Sequence, residues 1–143
     1  MIVYLDTSAL IKLYAQEFGR EQVERSVFAA ETIATNVITY VETRSAFARK
    51  FRMAEIDEAA FELNKQQFES DWSLYELLPV NDSVIRRAGV LCEQFGLKAF
   101  DALHLASADR LQSSARSIVK FASFDNALNR AAARLGMDLI ATG

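Results

Sequence analysis

The chain contains very little of several residue types, and each shortage excludes a class of protein. Its 143 residues include one cysteine and one histidine, so it has no internal disulfide and no Cys/His cluster for zinc. One proline and five glycines leave no room for a long linker or a low-complexity segment. No apolar run approaches the roughly 18 residues of a membrane span. We therefore expect one domain over residues 1–143 and no membrane association.

Composition and charge narrow the class further. Apolar residues make up 51% and charged residues 24% of the chain, as in globular proteins with a well-formed core. The net charge of −3 argues against nucleic-acid binding over the whole surface, but an acidic protein can still bind RNA through a local basic face. The chain opens on a strand pattern instead of a basic segment followed by a long apolar one. We therefore expect no signal peptide and a cytoplasmic location.

The first ten residues carry the most informative pattern. Four apolar residues, Ile2 to Leu5, are followed at once by Asp6, Thr7 and Ser8 and then by apolar residues at helical spacing. This pattern predicts a short buried strand, a tight exit and a helix that begins near Ser8. Asp6 then lies at the carboxyl end of a parallel strand, where ligands bind in open α/β sheets.

The rest of the chain alternates between strand and helix patterns. Predicted strands cover 31–35, 74–80, 117–124 and 137–141, and predicted helices cover 20–30, 38–51, 57–72, 83–95, 98–111 and 126–135. Such alternation is typical of a parallel sheet with right-handed crossovers and helices on both faces. We expect a three-layer α/β/α domain with five parallel strands, the first of them central.

Four acidic residues fall at strand ends or near the starts of helices. Asp6 ends the first strand, Glu42 lies early in the helix after the second, Asp101 lies in the first turn of an apolar helix, and Asp125 follows the fourth strand. Each has an ordinary structural role when taken alone: a helix cap for Asp6 and Asp125, a solvated side chain for Glu42 and a helix-dipole partner for Asp101. Together, at one edge of a sheet, they indicate a functional site.

Four neighbouring carboxylates cannot all remain ionised and unpaired, because like charges raise one another's pKa. Oxygen donors without a Cys or His cluster favour Mg²⁺ or Mn²⁺ over zinc. One or two such ions could bind a phosphodiester and activate a water for hydrolysis. A single histidine rules out the usual Ser-His-Asp and Cys-His arrangements, and the sequence has no glycine-rich phosphate loop.

At this point the chain resembles a known family. The motifs 5–10 (LDTSAL), the isolated Glu42, 100–106 (FDALHLA) and 123–125 (SFD) are similar to those of the PIN domain, and more narrowly of VapC-type toxin ribonucleases. The resemblance implies an α/β/α nuclease domain that uses Mg²⁺ or Mn²⁺ to cleave single-stranded or looped RNA. It also implies a homodimer and inhibition by a small antitoxin whose basic side chains reach the acidic pocket.

The resemblance also implies roles for individual residues. Asp6 and Asp101 correspond to the steadiest metal ligands of the family, and Glu42 and Asp125 to acids that complete the site directly or through water. Ser8 and Ser123 fall where the family often has a hydroxyl that orients these acids. Lys98 departs from the pattern, since many relatives have arginine there, and this bears on phosphate contact or on Asp101.

Other features allow two interpretations. His104 is either a buried, hydrogen-bonded side chain or a catalytic one. A basic stretch is either an RNA- or partner-facing edge or an ordinary solvated face; it contains Arg44, Arg49, Lys50 and Arg52. Apolar residues in two consecutive helices predict a dimer interface or an antitoxin groove, namely Ala46, Phe47, Phe51, Phe61 and Phe68.

Rival functions follow from the same architecture. A catalytically idle PIN-like module that binds RNA or protein would keep the fold without the chemistry. A haloacid-type phosphatase needs a second aspartate two residues after Asp6, where this chain has Ser8. A receiver domain needs a lysine that ends its last strand, and Lys120, before Asp125, does not fit that position.

Overall fold

The five strands and most of the helices form where the sequence predicts them. The computed structural model describes residues 1–140. In that range the strands are β1 Ile2–Leu5, β2 Thr32–Asn36, β3 Glu76–Leu78, β4 Val119–Ala122 and β5 Asp138–Leu139. The helices are α1 Thr7–Leu10, a 3-10 turn Ile11–Leu13, α2 Arg20–Ala29, α3 Ile38–Arg52, α4 Glu58–Trp72, α5 Asp82–Phe95, α6 Ala99–Ala115 and α7 Asn126–Arg134. Over this range, no helix combines the length and apolar character needed to span a bilayer.

The sheet has the strand order β3-β2-β1-β4-β5, and every pairing is parallel. β1 is central, as predicted. Its residue Tyr4 lies opposite Ala34 of β2 and Phe121 of β4. The chain moves outward from β1 in one direction to β3 and then returns to the other side at β4. The two directions part between β1 and β4, which creates the crevice that ligands occupy in such sheets.

Alternating side chains of β1 reach two separate cores. Tyr4 packs with Phe121 and Leu105 on the face covered by α5, α6 and α7. Val3 and Leu5 pack on the opposite face, which is covered by α1, α2, α3 and α4. Because both faces of the sheet are covered, the central strand β1, with the sequence IVYL, is apolar along its whole length.

Three predicted strands are longer than the observed ones. Leu74 is 75% exposed and precedes β3, and Pro79, which cannot donate to a ladder, follows it. Helix α6 continues past the predicted end at Leu111 to Ala115 and turns at Arg116, whose φ is +52°, so β4 begins only at Val119. Ala141, predicted within the last strand, lies outside the described residues.

The apolar residues of α3 and α4 mostly fill the domain's own core. Phe47 and Phe68 are fully buried, and their rings meet edge to face at 6.0 Å. Phe51, 39% exposed, stacks on Phe61 with a centroid distance of 4.8 Å. These side chains therefore leave less apolar surface for a dimer interface or an antitoxin groove than the sequence suggests. The homodimer stays a prediction.

A tight contact holds the turn before α2 against the segment after β4. Gly19 caps α2 with a φ of +94°, and a Cβ there would lie 2.4 Å from Cε1 of Phe124. The Phe124 backbone N–H donates to Ser8 Oγ at 3.0 Å. The absent side chain of Gly19 thus lets the residue next to Asp125 pack closely.

Gly19→Ala should destabilise the protein more than Gly96→Ala. Both glycines have positive φ, +94° and +67°, so each alanine costs about 1–2 kcal/mol in backbone strain. At Gly96 an added Cβ meets no heavy atom within 4 Å, whereas at Gly19 the Phe124 ring must move, for a further loss of about 1–3 kcal/mol. Urea denaturation of both variants measures the difference. Equal losses would show that the ring moves freely.

Candidate functional site

The four predicted acids come from four parts of the chain near the carboxyl edge of the sheet. Asp6 leaves β1 with its backbone N–H bonded to Ala122 O at 3.1 Å, so the exits of β1 and β4 are adjacent. Asp125 follows β4 and begins α7. Glu42 lies in α3 and Asp101 in the first turn of α6. The adjacency of β1 and β4, on which the predicted site depends, is present.

Asp6 is a buried helix cap. Its side chain is 4% exposed, and Oδ1 accepts from Ala9 N at 2.9 Å and from Ser8 Oγ at 2.7 Å. Burial raises the pKa of Asp6, although nearby His104 and the hydrogen bonds from Ser123, Ser8 and Ala9 act in the opposite direction. The bonds from Ala9 and Ser8 both use Oδ1, so capping leaves Oδ2 outside these two bonds.

The two predicted serines connect the exits of β1 and β4. Ser8 Oγ accepts from Phe124 N at 3.0 Å while it donates to Asp6. Ser123 is fully buried, and its Oγ accepts from Asp125 N at 3.0 Å. Asp125 is exposed, and its Oδ1 caps α7 by accepting from Leu128 N at 2.8 Å. Side-chain hydrogen bonds from both serines lower the pKa of Asp6, so both act on this acid, and Ser123 also contacts the Asp125 backbone.

Glu42 is held by a buried hydrogen-bond network. His104, 2% exposed, places Nε2 at 2.8 Å from Glu42 Oε1 and Nδ1 at 2.8 Å from Tyr4 Oη. Thr7 Oγ1 donates to the same Glu42 oxygen at 2.6 Å. Burial acts to raise the pKa of Glu42, but the hydrogen bonds from His104 and Thr7 outweigh it, and the pKa is lowered. The buried, hydrogen-bonded interpretation of His104 is confirmed.

The network also fixes the proton position on His104. An ionised Glu42 has no proton to donate, so Nε2 carries the hydrogen that faces it. The other ring nitrogen, Nδ1, shares a hydrogen bond with the Tyr4 hydroxyl. Burial raises the pKa of Tyr4 far above its usual range, so this hydroxyl keeps its proton. The sequence analysis did not predict that Tyr4 and Thr7 belong to this network. For Tyr4 a signal was available, because the alternation of side chains along β1 directs it towards α6.

The pKa of Asp101 is affected by each of the other three acids. Burial raises its pKa first, and the charges of Asp125, Asp6 and Glu42 raise it further. Nevertheless, within residues 1–140 no three Asp, Glu, His or Cys side chains stand close enough to form a ready-made metal site. The donors fit Mg²⁺ or Mn²⁺ in kind, since they are carboxylate oxygens, and Mg²⁺ needs only one or two of them with water and substrate oxygens.

The basic residues near the site have unequal roles. Arg44 pairs with Glu69 at 2.9 Å and Lys50 pairs with Glu17, so these two belong to local ion pairs. Lys98 is exposed at the N-cap of α6 and makes no side-chain capping bond. Arg49 is exposed and lines a cavity of about 520 Å³ that also contains Glu42 and Ser8.

Comparison with known proteins gives consistent matches. The family model described as the PIN domain matches residues 3–134. Ribonuclease VapC45 of Mycobacterium tuberculosis is 28% identical over 107 residues, which are 75% of this chain and 74% of that protein. Ribonuclease VapC46 of the same species is 28% identical over 139 residues, 97% of this chain and 96% of that protein.

Solved structures share the fold. FitAcB from Neisseria gonorrhoeae has a TM-score of 0.71 and 19% identity, covering 99% of this chain and 98% of that chain. VapBC2 from Rickettsia felis, bound to a DNA fragment from its promoter, has a TM-score of 0.66 and 16% identity, covering 97% of both chains. A toxin–antitoxin complex from Klebsiella pneumoniae has a TM-score of 0.58 and 21% identity, covering 82% of this chain and 83% of that chain. At these identities the likeness concerns the fold.

Asp101→Asn should stabilise the metal-free protein at pH 7. The raised pKa of Asp101 means that folding disfavours its charged form. This penalty is complete above the folded-state pKa and disappears as the pH falls below the ordinary value of 3.8. Solvent screening limits the gain to about 0.5–1 kcal/mol, or roughly 1–4 °C in Tm for a chain of this size.

Calorimetry in EDTA at pH 7 and pH 3.5 measures that gain and its loss in acid. Asp109→Asn is the matched control, because Asp109 lies on the same helix and pairs with Arg87 at 3.1 Å. It should not gain stability. An unchanged Tm for Asp101→Asn at pH 7 would show that the acids do not repel one another.

His104→Ala should destabilise the protein by about 2–4 kcal/mol, since it leaves a cavity and removes the partners of Tyr4 and Glu42. His104→Gln should lose less, because its amide can still donate to Glu42. Urea denaturation at pH 7 compares the two. If both variants lose the same free energy, the hydrogen bond to Glu42 contributes nothing to folding.

Proposed function

The chain belongs to the PIN-domain family, and from that premise we propose that it is a Mg²⁺- or Mn²⁺-dependent endoribonuclease and the toxin of a toxin–antitoxin pair. Two relatives that match most of its length are named VapC ribonucleases. Several solved proteins with this fold are toxin–antitoxin complexes. These likenesses support the assignment to RNA cleavage.

The observation that carries the proposal is the electrostatic coupling of Asp101. Its pKa is raised by burial and then by Asp125, Asp6 and Glu42, which come from separate elements around the crevice between β1 and β4. A protein gains nothing in stability from such an arrangement, because the acids repel one another. A site that binds a cation and a phosphodiester explains why the acids are kept together.

Each acid has a role in the proposed mechanism. Asp6 and Asp101 would hold the metal, one or two ions, with Asp125 completing the site directly or through water. When bound, the metal supplies charge neutralisation at the phosphodiester and acidifies a water. Glu42, kept ionised by His104 and Thr7, would likewise complete the site directly or through water. Ser8 orients Asp6 through a 2.7 Å hydrogen bond.

The proposal extends to partners and location. We propose that residues 1–143 act as one nuclease domain in the cytoplasm, as a homodimer restrained by a small antitoxin. Basic side chains of the antitoxin would be attracted to the raised-pKa carboxylates Asp6 and Asp101.

One observation favours the alternative of an idle PIN-like binding module. No three potential ligands in the described range are arranged to hold a metal, and Asp6 and Asp125 are used as helix caps. In an idle module, Asp6 and Asp125 would serve only as helix caps. The two functions differ in whether Asp6→Asn changes any activity.

Asp6→Asn should abolish RNA cleavage without unfolding the protein. Asparagine caps helices as well as aspartate does, so α1 should remain in place. We expect cleavage of a labelled RNA in Mn²⁺ to fall by more than about 100-fold, since even outer-shell partners of metal ligands contribute about 10–100-fold. Mn²⁺ at a hundred times its Kd should stabilise the wild type by about 2.7 kcal/mol and the variant by much less.

Asp57→Asn is the matched control. Asp57 also caps a helix, since its Oδ1 accepts from Ala60 N at 2.8 Å, but it lies at the start of α4, outside the acidic group. Its cleavage rate should equal that of the wild type. Equal rates for wild type and Asp6→Asn, or no Mn²⁺-dependent shift in the wild type, would favour the idle module.

A further inference from the structure

The cavity beside the acidic group extends beyond the acids. Its volume is about 520 Å³, within the range of small-molecule sites. It is lined by Thr7, Ser8, Ile11, Val41, Glu42, Ser45, Ala46, Arg49 and Phe100. Glu42 and Ser8 belong to the site already described, whereas Phe100 and Arg49 have no role in it.

One face of α3 forms a wall of this cavity. Glu42, Ser45, Ala46 and Arg49 follow the i, i+3, i+4, i+7 spacing of a single helical face, and all four line the cavity. Seven residues of helix place Arg49 about 10 Å along the axis from Glu42. A cation is therefore placed in the same groove as the acidic site and beyond it.

Arg49 differs from its basic neighbours in α3. Arg44 is bonded to Glu69, and Lys50 is bonded to Glu17 and lies near Glu55. Among the described residues, no acid lies within ion-pair distance of the Arg49 guanidinium. Its charge is thus available to an anion that enters the cavity.

Phe100 also lines the cavity and supplies an aromatic surface there. It is 55% exposed and directly precedes Asp101 in the first turn of α6. A single exposed phenylalanine is common on protein surfaces, but this one lines a cavity that also contains an acidic residue and an arginine without an acidic partner. An aromatic ring and a guanidinium in one cavity are the kinds of group that bind an unpaired base and its phosphate.

Resting on the proposed function, we propose that Phe100 and Arg49 form a nucleotide subsite next to the scissile phosphodiester. An unpaired base stacks on the Phe100 ring, and the Arg49 guanidinium binds the phosphate of that nucleotide. A base inside a duplex cannot reach such a ring, so the subsite selects single-stranded RNA.

The test is single-turnover cleavage of an unstructured RNA oligonucleotide in Mn²⁺, with the half-saturating RNA concentration separated from the maximal rate. Phe100→Leu keeps the apolar bulk and removes the ring. It should raise the half-saturating concentration about tenfold, since base stacking contributes about 1–3 kcal/mol, and leave the maximal rate nearly unchanged. Phe100→Trp should restore tight binding.

Arg49→Gln should also raise the half-saturating concentration and should reduce the slope of log affinity against log salt by about 0.7, the value for one phosphate contact on a single strand. Arg44→Gln is its control, because Arg44 lies on the same helix outside this cavity and is paired with Glu69. It should leave both quantities unchanged. All the substituted side chains are partly or fully exposed, so the fold should tolerate the changes.

The outcomes separate this inference from the proposed function. If the wild type cleaves the RNA but Phe100→Leu and Arg49→Gln have wild-type half-saturation and salt slopes, the subsite does not exist and the nuclease assignment stands. Such a result would leave the groove to a protein partner. If the wild type does not cleave or bind the oligonucleotide, the proposed function fails and the inference fails with it.

Discussion

Burial of the Asp6 carboxylate at the exit of β1 is the constraint around which the site is built. A carboxylate that is 4% exposed loses most of its hydration, and burial accordingly raises its pKa. Hydrogen bonds from Ser123, Ser8 and the Ala9 backbone compensate for part of this loss. Ser8 is itself fixed by Phe124 N, and the close approach of Phe124 depends on the missing side chain of Gly19. The buried Asp6 carboxylate is thus connected, through Ser8, to the segment after β4 and to the turn before α2.

The acids are not equivalent, and the difference follows from their neighbours. Glu42 has two hydrogen-bond donors on one oxygen, and its pKa is lowered. Burial and the charges of the three other acids raise the pKa of Asp101, and the nearby His104 offsets only part of this effect. Environments that move the pKa values of neighbouring carboxyl groups apart are a common way to give them separate roles. Here the charge of Glu42 is already stabilised by hydrogen bonds within the protein. The charge of Asp101, whose pKa is raised, would be stabilised most by a bound cation.

The sequence predicts the strand order of the sheet better than it predicts the hydrogen-bond network around Glu42. The strand order and the exits of β1 and β4 follow from the alternation of apolar strands and helices, because few topologies satisfy that pattern. The partners of Glu42 could not be predicted in the same way. Thr7 is 35 residues away and His104 is 62 residues away along the chain, and their meeting depends on how α3 and α6 pack across the end of β1. Helix and strand ends were also less certain, as the continuation of α6 to Ala115 shows.

Capping and ligand binding are compatible in this architecture because a carboxylate has two oxygens. Asp6 caps α1 and Asp125 caps α7, each through Oδ1, so local folding fixes the orientation of both side chains before any ligand arrives. Capping therefore leaves the second oxygen of each carboxylate outside the capping bond. A structural role for Asp6 and Asp125 is therefore no argument against a chemical one. In a sheet of this kind, the residue that begins the next helix is also the residue nearest the crevice, so one position naturally serves both purposes.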